Sequence, residues 1–160
     1  MTLSRQLAHQ FREAHLNGKW LANTNLKEQL ENTAWEQANA TVGDHNSIAL
    51  LAFHLNYYVD GIARVFEGRP LDISDKYAFE MPPIETAEGW DAIRQKLWND
   101  AERFARLVEQ IPDENLGNPF AGLNYGSNYL NISAMIQHVY YHLGQIVLIR
   151  KLLNKAGAGG

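Results

Sequence analysis

The sequence predicts an all-α protein, folded as an up-down-up-down four-helix bundle with long connecting loops. Apolar residues recur every three or four positions over three long stretches and one interrupted stretch, which is the periodicity of amphipathic helices. No stretch has the alternating pattern of a β-strand. At 160 residues, the chain is long enough to bury one core without cross-links. We therefore expect a single four-helix-bundle domain over 1–155 and a flexible C-terminal tail over 156–160.

The first helical stretch runs from about residue 3 to residue 16, with its apolar residues three or four positions apart. Asn17-Gly18 is a turn signal that ends or kinks this helix. Residues 25–28 and 33–36 each have the pattern of a capping box, an Asn or Thr followed three positions later by Glu. We expect each of them to open a short helix or turn.

The second long helix is predicted from Ile48 to Phe66, where the apolar residues keep an unbroken helical spacing. Residues 43–47 have the composition of a helix start, and Gly68 suits the position just beyond a helix end. Residues 68–86 contain three prolines and no periodic pattern, so they are predicted to form a long connection. A connection of this length in a compact domain is usually functional or a crossover.

Two further helices complete the predicted bundle. Thr86 caps a third helix, whose apolar residues run from 90 to 111 and are followed by a proline. A second long loop, rich in Asn, Gly and Tyr, covers residues 112–130. The last helix is predicted to start near Asn131 and keeps its apolar spacing through Val147.

The composition excludes several classes of protein and of site. The chain has no cysteine, so disulfides, thiolate metal sites and cysteine nucleophiles are excluded. The net charge is −4 and no basic cluster occurs beyond Arg150-Lys151, so nucleic acid is not an expected partner. Phosphate-binding loops, GxSxG, HExxH and paired Glu-x-x-His motifs are all missing from the sequence. Without a signal-peptide pattern or a long apolar run, we expect no membrane partner and a cytoplasmic location.

Three histidines form a candidate metal site. His138 and His142 stand four residues apart, so both imidazoles lie on the same face of the last helix, one turn apart. His54 lies beside Leu55 in the apolar stripe of the second long helix and is expected to point into the bundle, where metal sites are built from facing helices. The alternative is a set of core histidines hydrogen-bonded to tyrosine or backbone. The spacing alone does not decide between these interpretations.

Several neighbours of the histidines are further candidates. Gln145 shares the face of His138 and His142, so it is predicted either to support a metal ligand or substrate, or to be a plain surface glutamine. Gly144 is predicted to let a neighbouring helix approach closely. Aromatic residues at helical spacing are more often core residues, but six are candidates for lining a substrate cavity. These are Trp20, Tyr57, Tyr58, Tyr77, Tyr125 and Tyr141. The remaining histidines, His9, His15 and His45, are expected at the surface.

Two segments carry a resemblance to a known family. NSIALLAFHLNYYVDG, at 46–61, and NISAMIQHVYYHLGQIVLIRK, at 131–151, resemble the DinB-like (YfiT-like) superfamily. The family pattern His-x-x-x-His-x-Gly-Gln-Ile is met by residues 138–146, and the family's histidine on the second long helix corresponds to His54. The resemblance implies a four-helix bundle that holds one divalent metal, often zinc or nickel, with three histidines. It also implies open coordination positions for water or substrate, as in catalytic sites.

The resemblance further implies a function. Characterised relatives include metal-dependent transferases and isomerases that use low-molecular-weight thiols, so we expect a thiol-dependent transferase or a hydrolase with a small-molecule substrate. No catalytic general base can be identified in the sequence. The first alternative is a non-enzymatic, stress-related metal-binding or interaction protein, and the second is a purely structural helical module. Relatives are often dimers, and the amphipathic first helix offers a surface for a homodimer.

Overall fold

The computed structural model describes residues 1–157, and these residues form six α-helices and no β-strand, which confirms the all-α prediction for this part of the chain. The helices are α1 (Leu3–Arg12), α2 (Leu26–Glu31), α3 (Trp35–Asn39), α4 (Ile48–Phe66), α5 (Ala87–Glu109) and α6 (Asn128–Gly157). Residues 156–157 of the predicted tail belong to the end of α6, and residues 158–160 lie outside the described residues. Over residues 1–157, no helix is long and apolar enough to cross a membrane.

Helix α4 starts and ends at the residues that the sequence signals, and α5 starts at its predicted cap. The Ser47 hydroxyl accepts a hydrogen bond from the Leu50 N–H at the start of α4 (3.2 Å). At the start of α5, the Thr86 hydroxyl accepts a hydrogen bond from the Gly89 N–H (3.1 Å). Gly68 has a φ of +85°, the left-handed conformation predicted for the residue just beyond α4. These local signals therefore determine the ends of the helix that carries His54.

The start of α6 is a correction to the sequence prediction. The helix begins at Asn128, three residues before the predicted Asn131. The reason is Ser127, whose hydroxyl accepts a hydrogen bond from the Leu130 N–H (3.2 Å) and caps the helix. The prediction was late because it relied on the apolar stripe, which begins one turn further along the chain.

Only one of the two predicted capping boxes has its cap. The Asn25 side chain accepts a hydrogen bond from the Glu28 N–H (2.9 Å) and caps α2 as predicted. The second cap is wrong, because the Thr33 hydroxyl instead donates to the Gln29 carbonyl (2.8 Å). The short helix α3 nevertheless forms there, beginning after Ala34 without a side-chain cap.

The first helix ends in an unusual turn that buries a histidine. Beyond Arg12 the chain continues as a π-helical turn over Glu13–Asn17, a wider turn than that of an α-helix. His15 lies in this turn and is 1% exposed, so its predicted surface position is wrong. Its Nδ1 atom lies 3.1 Å from the Phe11 carbonyl, and its ring stacks on the Phe11 ring at 3.9 Å between centroids. The four-residue spacing from Phe11 was the available signal for this burial.

The long helices pack so that the two histidine-bearing helices are neighbours. α1 packs against α5 and α6, and α4 packs against the same two helices. The largest fully buried side chains of the core include Phe11 of α1 and Trp90 and Phe104 of α5. Arg12 joins α1 to α5 by ion pairs with Glu102 and Glu109. The contact between α4 and α6 brings His54 opposite the histidine pair of α6.

Candidate metal centre

The structure brings the three predicted histidines together in one cluster. A potential ligand atom from each of His54, His138 and His142 lies within 4.8 Å of those from the other two. The ring centroids are 4.9 Å apart for His54 and His138, 4.8 Å for His54 and His142, and 4.6 Å for the pair on α6. His54 and His142 are each 7% exposed, so the cluster lies at the edge of the core rather than on the open surface.

Two of the imidazoles are oriented by hydrogen bonds to oxygen atoms. The Nδ1–H of His54 donates to the Ala78 carbonyl (3.3 Å), and the Nδ1–H of His142 donates to the Oε1 atom of Gln145 (2.6 Å). Because carbonyl oxygens only accept, Nδ1 carries the proton in both rings and each Nε2 keeps a free lone pair. This is the usual support of a metal-binding histidine, whose second ring nitrogen is held by a carbonyl or carboxylate.

The position of the third imidazole, that of His138, determines whether the cluster can hold a metal ion. The Nε2 atoms of His54 and His138 are 3.0 Å apart. Since the lone pair of His54 occupies its Nε2, either a proton on His138 or a cation must separate these two atoms. Two nitrogens bound at zinc distances and tetrahedral angles are about 3.3 Å apart, close to the observed separation. The residues therefore fit one metal ion, and a direct hydrogen bond between the two imidazoles is the competing arrangement.

The electrostatic environment keeps all three histidines uncharged. Burial lowers the pKa of His138 to about 4, with further lowering from its two histidine neighbours. Burial also lowers the pKa of His54, with His142 adding to the effect. For His142, burial lowers the pKa against an opposing contribution from Gln145. The neutral imidazole is the form that binds metals, so the cluster is ready to bind at neutral pH.

The 68–86 connection, predicted from its length to be functional or a crossover, supplies part of the wall around the three histidines. The Phe79 ring stacks on the His54 ring with centroids 4.1 Å apart and is itself 44% exposed. Tyr58 of α4 stands edge-on to both His54 and His138, and its hydroxyl donates to Asp75 (2.5 Å). No periodic signal exists in this connection, so only its length hinted at a functional role.

The other predicted aromatic residues are dispersed. Tyr141 packs edge-on against His142 but is 66% exposed. The Tyr57 hydroxyl is bonded to the backbone of the 68–86 connection, while Tyr77 and Tyr125 are exposed. Trp20 lines a groove beside Ile136, Gln137 and Tyr140, and a role for it in substrate binding stays a prediction. Its side chain is 88% exposed there, in a groove lined by none of the three clustered histidines.

Two residues of α6, Gln145 and Gly144, lie next to the histidine cluster in sequence. Gln145 holds His142 and also lines a cavity of about 320 Å³, a volume that suits a small molecule. The cavity wall is aliphatic on the side of Leu51 and Leu148 and polar at residues 44–46. The predicted close approach at Gly144 is wrong, because nothing lies within 4 Å of the position that a Cβ atom would take there.

Comparison with known proteins agrees with the resemblance. The family model of the DinB superfamily matches residues 21–146, most of the chain. The chain belongs to the DinB superfamily. All three clustered histidines and Gln145 fall inside the matched range, whereas Trp20 lies just before it. Neither curated proteins nor solved structures give a match to this DinB superfamily chain.

Proposed function

We propose that this DinB superfamily protein is a metal-dependent enzyme that acts on a small-molecule substrate. One divalent ion, zinc or nickel, would be held by His54, His138 and His142. The observation that carries the proposal is the pair of Nδ1–H hydrogen bonds, to Ala78 and Gln145, which leave the two Nε2 lone pairs free at the cluster. Three neutral imidazoles are a donor set that zinc and nickel both accept.

The reaction proposed is a thiol-dependent transfer or a hydrolysis. With three protein ligands, the ion keeps open positions and lowers the pKa of a thiol or water bound there. The chain contains no cysteine, so a thiol must come from a low-molecular-weight cosubstrate. If the ion activates a thiol, the protein is a transferase; if it activates water, the protein is a hydrolase.

The residues around the cluster have separate tasks in this proposal. Gln145 and the Ala78 carbonyl keep the imidazoles of His142 and His54 in place. The rings of Phe79 and Tyr58 shield one side of the cluster from water. The aliphatic cavity beside Gln145 would hold the apolar part of a substrate.

Four further predictions belong with this function. The four long helices would alternate in direction as an up-down-up-down bundle, an arrangement supported by the packing of α1 and α4 on both α5 and α6. A homodimer and a cytoplasmic location remain predictions from the sequence. A single domain over 1–155 is likewise a prediction.

The 3.0 Å separation of the His54 and His138 Nε2 atoms also favours a second candidate, in which the histidines are only hydrogen-bonded. A measurement of metal binding distinguishes this structural module from the proposed enzyme. Protein purified without a His-tag should contain, or take up from zinc or nickel solutions, about one equivalent of metal. A His9→Ala variant serves as the control and should bind as much metal as the wild type, because His9 is exposed and lies outside the cluster.

Activity then separates the enzyme from a non-enzymatic metal-binding protein. Metal-loaded protein is assayed against panels of thiol-transfer and hydrolysis substrates, with the metal-free protein as control. Metal-dependent turnover supports the enzyme. A metal that raises the melting temperature by many degrees without any turnover supports a structural metal in a non-enzymatic protein, since its binding energy is then folding energy.

A further inference from the structure

A short segment of the 68–86 connection lies along one face of α4. We call residues 73–79 the strap. The α4 residues under it are 54, 57, 58 and 61, which share one helix face because they stand zero, three, four and seven positions along the helix. The strap contacts all four positions, so that a row of contacts extends from Gly61 to the metal centre at His54.

Hydrogen bonds hold the middle of the strap. The Tyr57 hydroxyl donates to the Ser74 carbonyl (3.1 Å) and accepts from the Ser74 N–H (2.9 Å), so one side chain binds both polar groups of that residue's backbone. The neighbouring Tyr58 hydroxyl donates to the Asp75 carboxylate (2.5 Å). These bonds fix the path of the strap three to four residues before Ala78, where the strap reaches His54.

The end of the strap meets the metal centre. Ala78 is 1% exposed, and its carbonyl accepts the hydrogen bond from the Nδ1–H of His54. Phe79 then stacks on the same imidazole. The strap therefore determines which nitrogen of His54 carries the proton, and so which nitrogen faces the cluster.

The far end of the strap is seated in a notch made by a glycine. A Cβ atom at Gly61 would lie 2.1 Å from the Cγ2 atom of Ile73, far inside contact distance. Gly61 is buried in the interior of α4, where glycine is unfavourable, and the space it leaves is filled by Ile73. Isoleucine is branched at Cβ and stiff about χ1, so Ile73 cannot swing aside without moving the strap.

We propose that Gly61 and Ile73 are positioning residues of the metal centre. They touch neither the histidines nor the metal position, but their fit seats the strap, and the strap holds the His54 imidazole through Ala78. The inference rests on the proposed function, because it concerns the affinity of the same metal site. Losing such a support for a metal-binding histidine typically weakens metal affinity by about 10- to 100-fold.

The test compares Gly61→Ala with a matched glycine substitution. Gly89→Ala is the control, because a Cβ atom at this helical glycine would make only ordinary contacts at 3.5 Å or more. The double variant Gly61→Ala/Ile73→Ala is the rescue, since the two Cβ atoms would then lie about 3.4 Å apart without the colliding methyl group. Zinc affinity is measured by competition with a chromophoric chelator, and the His54 tautomer by ¹⁵N NMR of metal-free protein.

We expect the Kd for zinc to rise by about 10- to 100-fold in Gly61→Ala, to stay unchanged in Gly89→Ala, and to recover in the double variant. In the metal-free wild-type protein, His54 should be present as the Nδ1–H tautomer alone. In metal-free Gly61→Ala, it should be a mixture of the Nδ1–H and Nε2–H tautomers. A folded Gly61→Ala variant with wild-type affinity and tautomer overturns the inference. If Gly61→Ala does not fold, Tyr57→Phe replaces it, with the same direction expected in both measurements and the same contrary result.

The two proposals fail in different ways. Wild-type protein that takes up no zinc refutes the metal centre, while the tautomer comparison in metal-free protein still tests the strap. Wild-type protein that binds zinc with an affinity independent of the Gly61–Ile73 fit refutes the strap alone. A change that only lowered stability would shift the unfolding curve of Gly61→Ala without altering the His54 tautomer.

Discussion

Acid should destabilise this protein through His15, which is uncharged and enclosed by the core. Burial lowers the pKa of His15 from 6.5 to about 3 in the folded state, against a smaller opposing contribution from the Phe11 carbonyl. The unfolded chain therefore binds the proton more tightly than the folded one. Stability linked to this histidine is fully present above pH 6.5 and is lost as the pH falls from there toward 3.

The size of the effect follows from these two pKa values. Between pH 7 and pH 5, the proton-linked free energy of unfolding attributable to His15 falls by about 2 kcal/mol. The other buried histidines also contribute to acid sensitivity, so the measurement is a difference between variants. In His15→Leu, which has a side chain of similar volume but no titrating group, the loss of stability over the same range should be smaller by about 2 kcal/mol.

Urea unfolding at pH 7 and pH 5, followed by the fluorescence of the four tryptophans, measures this difference. The protein is kept metal-free with chelator so that metal release does not enter. The exposed His9 supplies the control, and His9→Ala should retain the wild-type pH dependence. If wild type and His15→Leu lose equal stability between the two pH values, the reasoning about His15 is refuted.

Substitutions at three other positions test separate parts of the structure. Gln145→Leu should weaken zinc binding by about 10- to 100-fold, and Gln145→Glu, which keeps an oxygen acceptor for His142, should restore it in a chelator competition. Gly144→Ala should raise the free energy of unfolding by about 0.5–1 kcal/mol, because the Cβ position is open and alanine favours the helix. Arg12→Met, which breaks the pairs with Glu102 and Glu109, should lower that free energy by about 1 kcal/mol, and by less in high salt. Equal effects in low and high salt would contradict the ion-pair account.

Local signals explain why so much of the scaffold could be predicted. The ends of α4 are determined by Ser47 and Gly68, which act within one turn of the chain. The convergence of His138 and His142 follows from helix geometry alone, because residues four apart lie on one face. The position of His54 in the apolar stripe of α4 was enough to predict that its side chain points toward this pair.

The features that could not be predicted depend on tertiary packing. Ala78 and Phe79 reach His54 from a connection without periodicity, over a distance of about two dozen residues in sequence. His15 is buried in a π-helical turn that no composition signal marks, and only its four-residue spacing from Phe11 indicated the burial.

Metal content is the most direct test of the central claim that the three histidines form a metal centre. Protein purified without a His-tag is analysed for metal as wild type and as the double variant His54→Ala/His142→Ala, with circular dichroism to confirm that the helices remain. About one equivalent of zinc or nickel in the wild type, lost in the folded double variant, is the predicted result. No metal in the wild type, even after incubation with zinc or nickel, would contradict the claim and leave the histidines as a hydrogen-bonded cluster.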